Sequence, residues 1–63
     1  MDPELETKIL LRLQEMKRGQ TAEQLGEYCN APVAFVLIEL EEQRKGGFVE
    51  RDKNGVWHLV RSV

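Results

Sequence analysis

The side chains that most often carry out chemistry are few in this chain and are not grouped. Cys29 is its only cysteine and His58 its only histidine, so the several ligands that a metal site needs are missing. The sequence shows no nucleophile beside a base and no paired carboxylates in a cleft, and Gly46-Gly47 lacks the rest of a phosphate-binding loop. We interpret Cys29 as a small packed residue and His58 as a surface residue. We therefore expect no enzyme activity, no cofactor and no metal, and a function that consists of binding.

Charge is unevenly distributed along the 63 residues, although the net charge is only −2. No Lys or Arg occurs from Gly19 to Gln43, and that stretch holds five glutamates: Glu23, Glu27, Glu39, Glu41 and Glu42. We expect the run from Glu39 to Glu42 to be a solvated helix face. Basic residues follow at Arg44, Lys45, Arg51, Lys53 and Arg61. The first four are candidate phosphate contacts, but we favour the simpler interpretation that they are solvated charges offsetting nearby acids.

Composition limits the class of protein. A content of 41% hydrophobic and 32% charged residues is typical of a folded domain, and the length allows only one. A single cysteine favours a reducing, cytoplasmic compartment. The acids Asp2, Glu4 and Glu6 precede any apolar run, which argues against a signal peptide, and no segment approaches the roughly 20 apolar residues of a membrane span. We expect a cytoplasmic protein with no membrane contact and no small-molecule substrate.

Hydrophobic periodicity predicts a first helix over about residues 3–17. Asp2-Pro3 is typical of a helix start, with Asp as N-cap and Pro at the first helical position. Apolar residues then recur at helical spacing, at Leu5, Ile9, Leu13 and Met16. Leu11 lies on the opposite side, and we interpret it as a lone surface leucine.

Residues that are typical of helix ends predict two further helices. Thr21 and Gln24 fit a capping box, which predicts a second helix over about residues 21–29. Asn30 suits the left-handed conformation of a tight turn. Pro32 then favours the start of a third helix over about residues 32–45, which Gly46-Gly47 would end.

The dipeptide Asn54-Gly55 lies among β-branched and aromatic residues and predicts a two-stranded hairpin over about residues 48–61. Two registers are open, from a two-residue or a three-residue turn. We favour the three-residue turn with Gly55 in a bulge, because it pairs Val49 with Leu59 and Arg51 with Trp57 and places the apolar residues on one face. It would also let the Arg51 guanidinium lie over the indole.

From Thr21 onward the sequence resembles the winged helix-turn-helix family. TAEQLGEYCNAP resembles its second helix and turn, with Gly26 at the small-residue position where two helices cross. VLIELEEQRKGGFVER resembles the segment from the third helix into the first wing strand, with Val36 and Leu40 at core positions. GVWHL is similar to the second wing strand of small winged-helix regulators and of domains that bind left-handed DNA. The resemblance implies an α+β, mainly helical fold of three helices and a C-terminal two-stranded wing, formed by residues 1–63.

The chain departs from this family at the residues that would bind DNA. Gln43 stands where a third core leucine is usual. The positions that the resemblance turns towards the major groove carry no side-chain hydrogen-bond donor: Pro32, Val33, Ala34, Leu37, Ile38 and Glu41. Ala34 and Ile38 stand where readers of left-handed DNA have Asn and Tyr. Base recognition by this helix is therefore not expected.

The third helix is apolar nearly all round its first half, whereas packing requires only one stripe. In one interpretation, Phe35 packs under the second helix and the remainder is ordinary surface. In the interpretation that we favour, Val33, Leu37 and Ile38 anchor a patch, bordered by Ala34 and Glu41, that binds a protein partner or a second copy.

Three functions follow from these patterns. The leading hypothesis is a non-catalytic winged-helix module that acts through protein contact or self-association. The second is a small DNA-binding transcription regulator that uses the wing and a dimer for phosphate contacts. The third comes from resemblance in size and fold to the small cytoplasmic component of bacterial ferrous-iron transport systems. That family carries a cysteine cluster in its wing, and this chain has none there.

Overall fold

The computed structural model describes residues 3–60, so the sequence predictions for Asp2 and Arg61 lie outside the described residues. The elements follow in the order α1 (Pro3–Glu15), β1 (Gln20–Thr21), α2 (Ala22–Cys29), α3 (Val33–Lys45), β2 (Val49–Arg51) and β3 (Val56–Leu59). Three helices pack with a three-stranded antiparallel sheet in the order β1-β3-β2. The expectation of a mainly helical α+β fold is confirmed.

The observed ends of α2 agree with the predicted ones, whereas α1 and α3 differ from their predicted bounds by one or two residues. Thr21 Oγ1 accepts from the Gln24 backbone N–H at 3.1 Å, and Gln24 Oε1 accepts from the Thr21 N–H at 3.0 Å, which confirms the capping box. Asn30 is left-handed, with φ 54° and ψ 48°. Pro32 is the N-cap of α3 rather than its first helical residue, and α1 ends two residues earlier than predicted, at Glu15.

The sheet has one strand more than the sequence predicted. The hairpin register is the favoured one, with Val49 opposite Leu59 and Arg51 opposite Trp57. Gln20 pairs with Trp57 on the other side of β3, so the expectation of a two-stranded ribbon is wrong. β1 has only two residues and leads directly into α2, so it offers no alternation to detect.

Gly19 makes that third strand possible. Its φ is +86°, and a Cβ atom there would lie 2.5 Å from the Trp57 carbonyl oxygen. Only glycine combines this conformation with so close an approach of two backbones. The chain therefore leaves α1 early, turns at Gly19 and enters the sheet before α2 begins.

The core lies between the helices and the inner face of the sheet. Its largest fully buried side chains come from every layer, and they are Trp57, Ile9, Leu25, Leu40, Val36 and Val49. Leu5 and Leu13 extend the stripe predicted for α1, but its fourth member, Met16, lies beyond the end of the helix and is only half-buried. Leu11 is exposed as expected. Cys29 is buried and packs in the same cluster.

Two polar residues of α3 also face inward. Glu39 is 4% exposed, so the expectation that residues 39–42 form one solvated face is wrong. Successive helical residues are separated by about 100° around the axis, so four in a row cannot share a face. Gln43 is 5% exposed, and neither its side-chain nitrogen nor its oxygen has a hydrogen-bond partner.

Replacing Gln43 with leucine should stabilise the protein. The substitution removes a buried amide without partners, whose desolvation costs about 1–3 kcal/mol, and supplies an apolar side chain of similar size. Chemical denaturation should show a higher midpoint with an unchanged slope. Gln14→Leu is the matched control, because Gln14 is exposed and its replacement should add no comparable stability. A Gln43→Leu protein no more stable than wild type would contradict this account of the core.

Candidate binding surface on the third helix

The position of α3 in the fold leaves an apolar surface exposed. Val36, Leu40 and Gln43 turn one side of the helix into the core. The opposite side carries four apolar residues, which we call the apolar α3 face: Ala34, Phe35, Leu37 and Ile38. Phe35 is 58%, Ile38 53% and Leu37 41% exposed. These exposures are high for large apolar side chains gathered on a single helix.

Helical spacing makes the face continuous. Ala34 and Ile38 are four residues apart, and Phe35 and Ile38 are three apart, which are the separations of neighbours on a helix surface. Leu37 extends the face towards the hairpin, where it lines a hollow together with Glu41, Arg51 and the start of α2. The apolar surface therefore runs from the exposed side of α3 into a depression between α3 and the sheet.

Acidic side chains border this face. Glu23 lines the hollow that contains Leu37, and Glu23 and Glu27 both line a second hollow beside Val33 at the start of α3. Glu41 lies on α3 itself, but its carboxylate accepts from Arg44 Nε at 2.9 Å and pairs with Arg44 Nη2 at 2.8 Å. Within residues 3–60, Glu23 and Glu27 of α2 have no ion pair, and neither has Glu42, which follows Ile38 by four residues on α3.

The five residues predicted for a protein interface lie on one side of the molecule but differ in exposure. Ala34, Leu37 and Ile38 are exposed, whereas Val33 is half-buried and packs against the core. Glu41 is also half-buried. Val33 therefore presents less surface than an anchor residue would.

Phe35 contributes more surface than the sequence predicted. The interpretation in which it packs under α2 is wrong, since more than half of its side chain is exposed. The signal was present in the sequence as an uninterrupted apolar run of six residues at 33–38, but the run does not say which of its members are buried. The rotation of α3 against the core decides it, because Val36 is fully buried and Phe35, one residue before it, points about 100° away around the helix.

The four candidate phosphate contacts are all exposed: Arg44, Lys45, Arg51 and Lys53. Arg44 is committed to Glu41. The Arg51 guanidinium lies beside Gly55, and the cation–π contact within residues 3–60 is Arg12 over Tyr28 at 4.2 Å. The expectation that Arg51 covers the indole of Trp57 is therefore wrong.

Neither Cys29 nor His58 lies in an arrangement typical of a reactive side chain. Burial raises the pKa of the Cys29 thiol, which disfavours the nucleophilic thiolate. His58 is partly exposed, with Nδ1 4.0 Å from a carboxylate oxygen of Glu50. Within residues 3–60, no three histidine, cysteine or acidic side chains are grouped to hold a metal. In the same range, no helix has the length and apolar character to cross a membrane.

Comparison of the chain with protein-family models, with curated proteins and with solved structures found no match.

The turn of the hairpin is held by one carboxylate. Asp52 Oδ1 accepts from the Asn54 N–H at 2.8 Å and from the Val56 N–H at 3.0 Å. These bonds lower the pKa of Asp52, with the bond from Val56 contributing most. They fix the three-residue loop in which Gly55 has φ +80°.

Removing this carboxylate should destabilise the hairpin at neutral pH. Asp52→Ala loses both acceptor contacts, whereas Asp52→Asn keeps an oxygen acceptor. Because the folded-state pKa is lowered, the stabilisation by the carboxylate is complete above the unfolded pKa of about 3.9 and disappears as the pH falls through the folded value. Urea denaturation should therefore show a wild-type advantage over Asp52→Ala at pH 7 that shrinks at pH 3. Lys53→Ala, in the same turn, should show no such change with pH.

Substitutions on the apolar α3 face should leave folding intact. Ile38→Glu is expected to change the free energy of unfolding by no more than about 0.5 kcal/mol, as is usual for exposed positions. Leu40→Ala, on the buried side of the same helix, should cost about 2–5 kcal/mol. Thermal and urea denaturation measure both. A large loss from Ile38→Glu would mean that the face is already covered in solution.

Proposed function

We propose that this protein is a non-catalytic winged helix-turn-helix module whose third helix binds protein rather than DNA. The observation that carries the proposal is the apolar α3 face, which is exposed on a helix whose other side already fills the core. Exposed apolar surface that is continuous and bordered by polar groups is typical of an interaction site. Covering this surface with a partner would remove apolar area from water, which favours association.

Several features support the winged-helix part of the proposal. Three helices precede the hairpin, Gly26 lies where α2 approaches α3, and a short strand before α2 joins the hairpin in one sheet. The resemblance of residues 21–59 to that family points the same way. We place the module in the cytoplasm, where its single cysteine would stay reduced.

The side chains of α3 favour protein over DNA. Direct reading of bases needs donors such as Arg, Lys, Asn or Gln, and the exposed positions 34, 35, 37 and 38 carry none. Phosphate contacts need cations, and of the four candidates Arg44 is paired with Glu41, which leaves Lys45, Arg51 and Lys53. A ferrous-iron transport role would need cysteines in the hairpin, and residues 48–60 contain none.

Amide chemical-shift titrations test the choice between protein and DNA. The ¹⁵N-labelled protein is titrated at low salt with mixed-sequence duplex DNA and, separately, with a helix-forming amphipathic peptide that has a leucine stripe and equal numbers of Lys and Glu. We expect the peptide to shift amides of residues 33–42 in a saturable way and DNA to shift none of them. Ile38→Glu should weaken peptide binding about tenfold or more, the scale of losing a central apolar contact.

Leu11→Glu is the matched control for that variant. Leu11 is 55% exposed, close to the 53% of Ile38, but lies on α1. It should bind the peptide as the wild type does. Saturable DNA-induced shifts on α3 and the hairpin would instead establish the DNA-binding alternative, and equal losses from both variants would show that the apolar α3 face has no special role.

A further inference from the structure

We infer that the partner of the apolar α3 face is an amphipathic helix whose apolar stripe is flanked by Lys or Arg, and not a second copy of this chain. This rests on the proposed function and adds the chemistry of the partner to it. Three observations lead to it: the spacing of the exposed side chains, the distribution of charge around them and the size of the surface.

The spacing of the face fits a helix as its partner. Ala34, Ile38 and Leu37 form rows along α3 at separations of three and four residues, which are the ridges that a second helix packs into. The rows end at Leu37, which a large apolar side chain of the partner would contact as an anchor, beside a hollow lined mostly by polar residues. A partner helix would supply such anchors at intervals of three, four and seven residues.

The charges on the α2 side call for a basic partner. Glu23 and Glu27 lie one turn apart on α2, and both line the hollow beside Val33. Neither forms an ion pair within residues 3–60, although Arg12 of α1 lines a further hollow together with Glu27. Cations flanking the apolar stripe of the partner would therefore meet carboxylates on this side of the face.

The hairpin side of the face carries a basic residue, so the two sides of the interface differ in charge. Arg51 lines the hollow that contains Leu37, and Glu41 in the same hollow is already paired with Arg44. Glu23 lines this hollow too, so it is the acid that a cation of the partner would meet there. The inference therefore assigns the attraction to Glu23 and Glu27, and Arg51 is not expected to contribute.

A second copy fits this surface poorly. In a two-fold dimer the same patch lies on both sides of the interface, so each copy would bring the same unpaired acids, Glu23 and Glu27, to it. Like charges brought together across an interface oppose association. A standard interface also covers roughly 800 Å² per partner. That is about a sixth of the 4664 Å² surface of the described chain, more than four side chains of α3 provide.

The test uses three synthetic peptides with one leucine stripe and different flanking charges. One carries Lys, one carries Glu and the third carries equal numbers of both. The Kd of each for the full chain is measured by fluorescence anisotropy and by amide shifts at 50 and 300 mM NaCl. We expect the Lys peptide to bind at least about fivefold more tightly than the Glu peptide at low salt, and the difference to shrink at high salt.

Variants of the protein locate the contacts. Glu23→Gln with Glu27→Gln should weaken binding of the Lys peptide about three- to tenfold, the range for two exposed charge contacts at low salt. The matched control is Glu6→Gln with Glu15→Gln, which removes the same charge from exposed positions of α1 and should leave the Kd unchanged. Arg51→Gln should leave it unchanged or lower it slightly.

Ile38→Glu separates a specific interface from simple attraction between opposite charges. It adds a negative charge, so nonspecific attraction would make the Lys peptide bind more tightly, whereas loss of the apolar anchor should weaken binding about tenfold. Tighter binding by Ile38→Glu would overturn the inference. So would a Glu peptide that binds as well as the Lys peptide, although a shift on α3 by any of the three would leave the proposed function intact.

The oligomeric state completes the test. Light scattering should show a monomer for wild type and Ile38→Glu over a range of concentrations. A wild-type dimer that Ile38→Glu dissociates would replace the inferred partner with a second copy while keeping protein contact as the function. A monomer that binds none of the three peptides would overturn the inference and the proposed function together.

Discussion

Burial of Trp57 is the interaction on which the arrangement of both layers depends. Its strand is the central one, paired with Gln20 on one side and Arg51 on the other, and its side chain is the largest that the core encloses completely. A chain of this length can build only one small core. Each helix therefore packs a single stripe around this region, and any further apolar surface has to remain outside.

The small size of the core explains why the apolar α3 face is exposed, and it does so better than any local property of the helix. Val36 and Leu40 occupy the inward positions, and the hairpin closes the core at Val49. No space is left for Phe35 or Ile38 on the opposite side of a helix about 20 Å long. The same helix thus stabilises the fold with one side and presents an unused apolar surface with the other. The exposed side of α3 is thus separate from the side that fills the core.

Two polar residues of α3 lie in the core and not on the surface. Gln43 is buried, and neither its side-chain nitrogen nor its side-chain oxygen has a hydrogen-bond partner. A leucine at this position would pack in the core without such unpaired polar atoms. Glu39 is enclosed as well, whereas Glu42 remains in solvent. The unpaired amide of Gln43 is consequently a weak point of the core near the last turn of α3. The hairpin that follows depends on backbone bonds to Asp52 and on the register of β3 rather than on packing by this turn.

Local chemistry determined a large part of this structure from the sequence alone. The capping box at Thr21, the left-handed Asn30, the hairpin register and the core stripe of α1 each follow from interactions within a few residues or from a simple period. The amino-acid types alone also showed that positions 34, 35, 37 and 38 of α3 carry no side-chain hydrogen-bond donor. What required the tertiary structure was every property that depends on a distant neighbour. Glycine at position 19 permits a third strand only because the Trp57 carbonyl lies against it. Which members of the run at 33–38 are exposed, and that Glu39 and Gln43 are enclosed, depends on how α3 is rotated against the rest of the core. A uniformly apolar segment contains no periodic signal that could fix that rotation, so only packing against the other elements decides it.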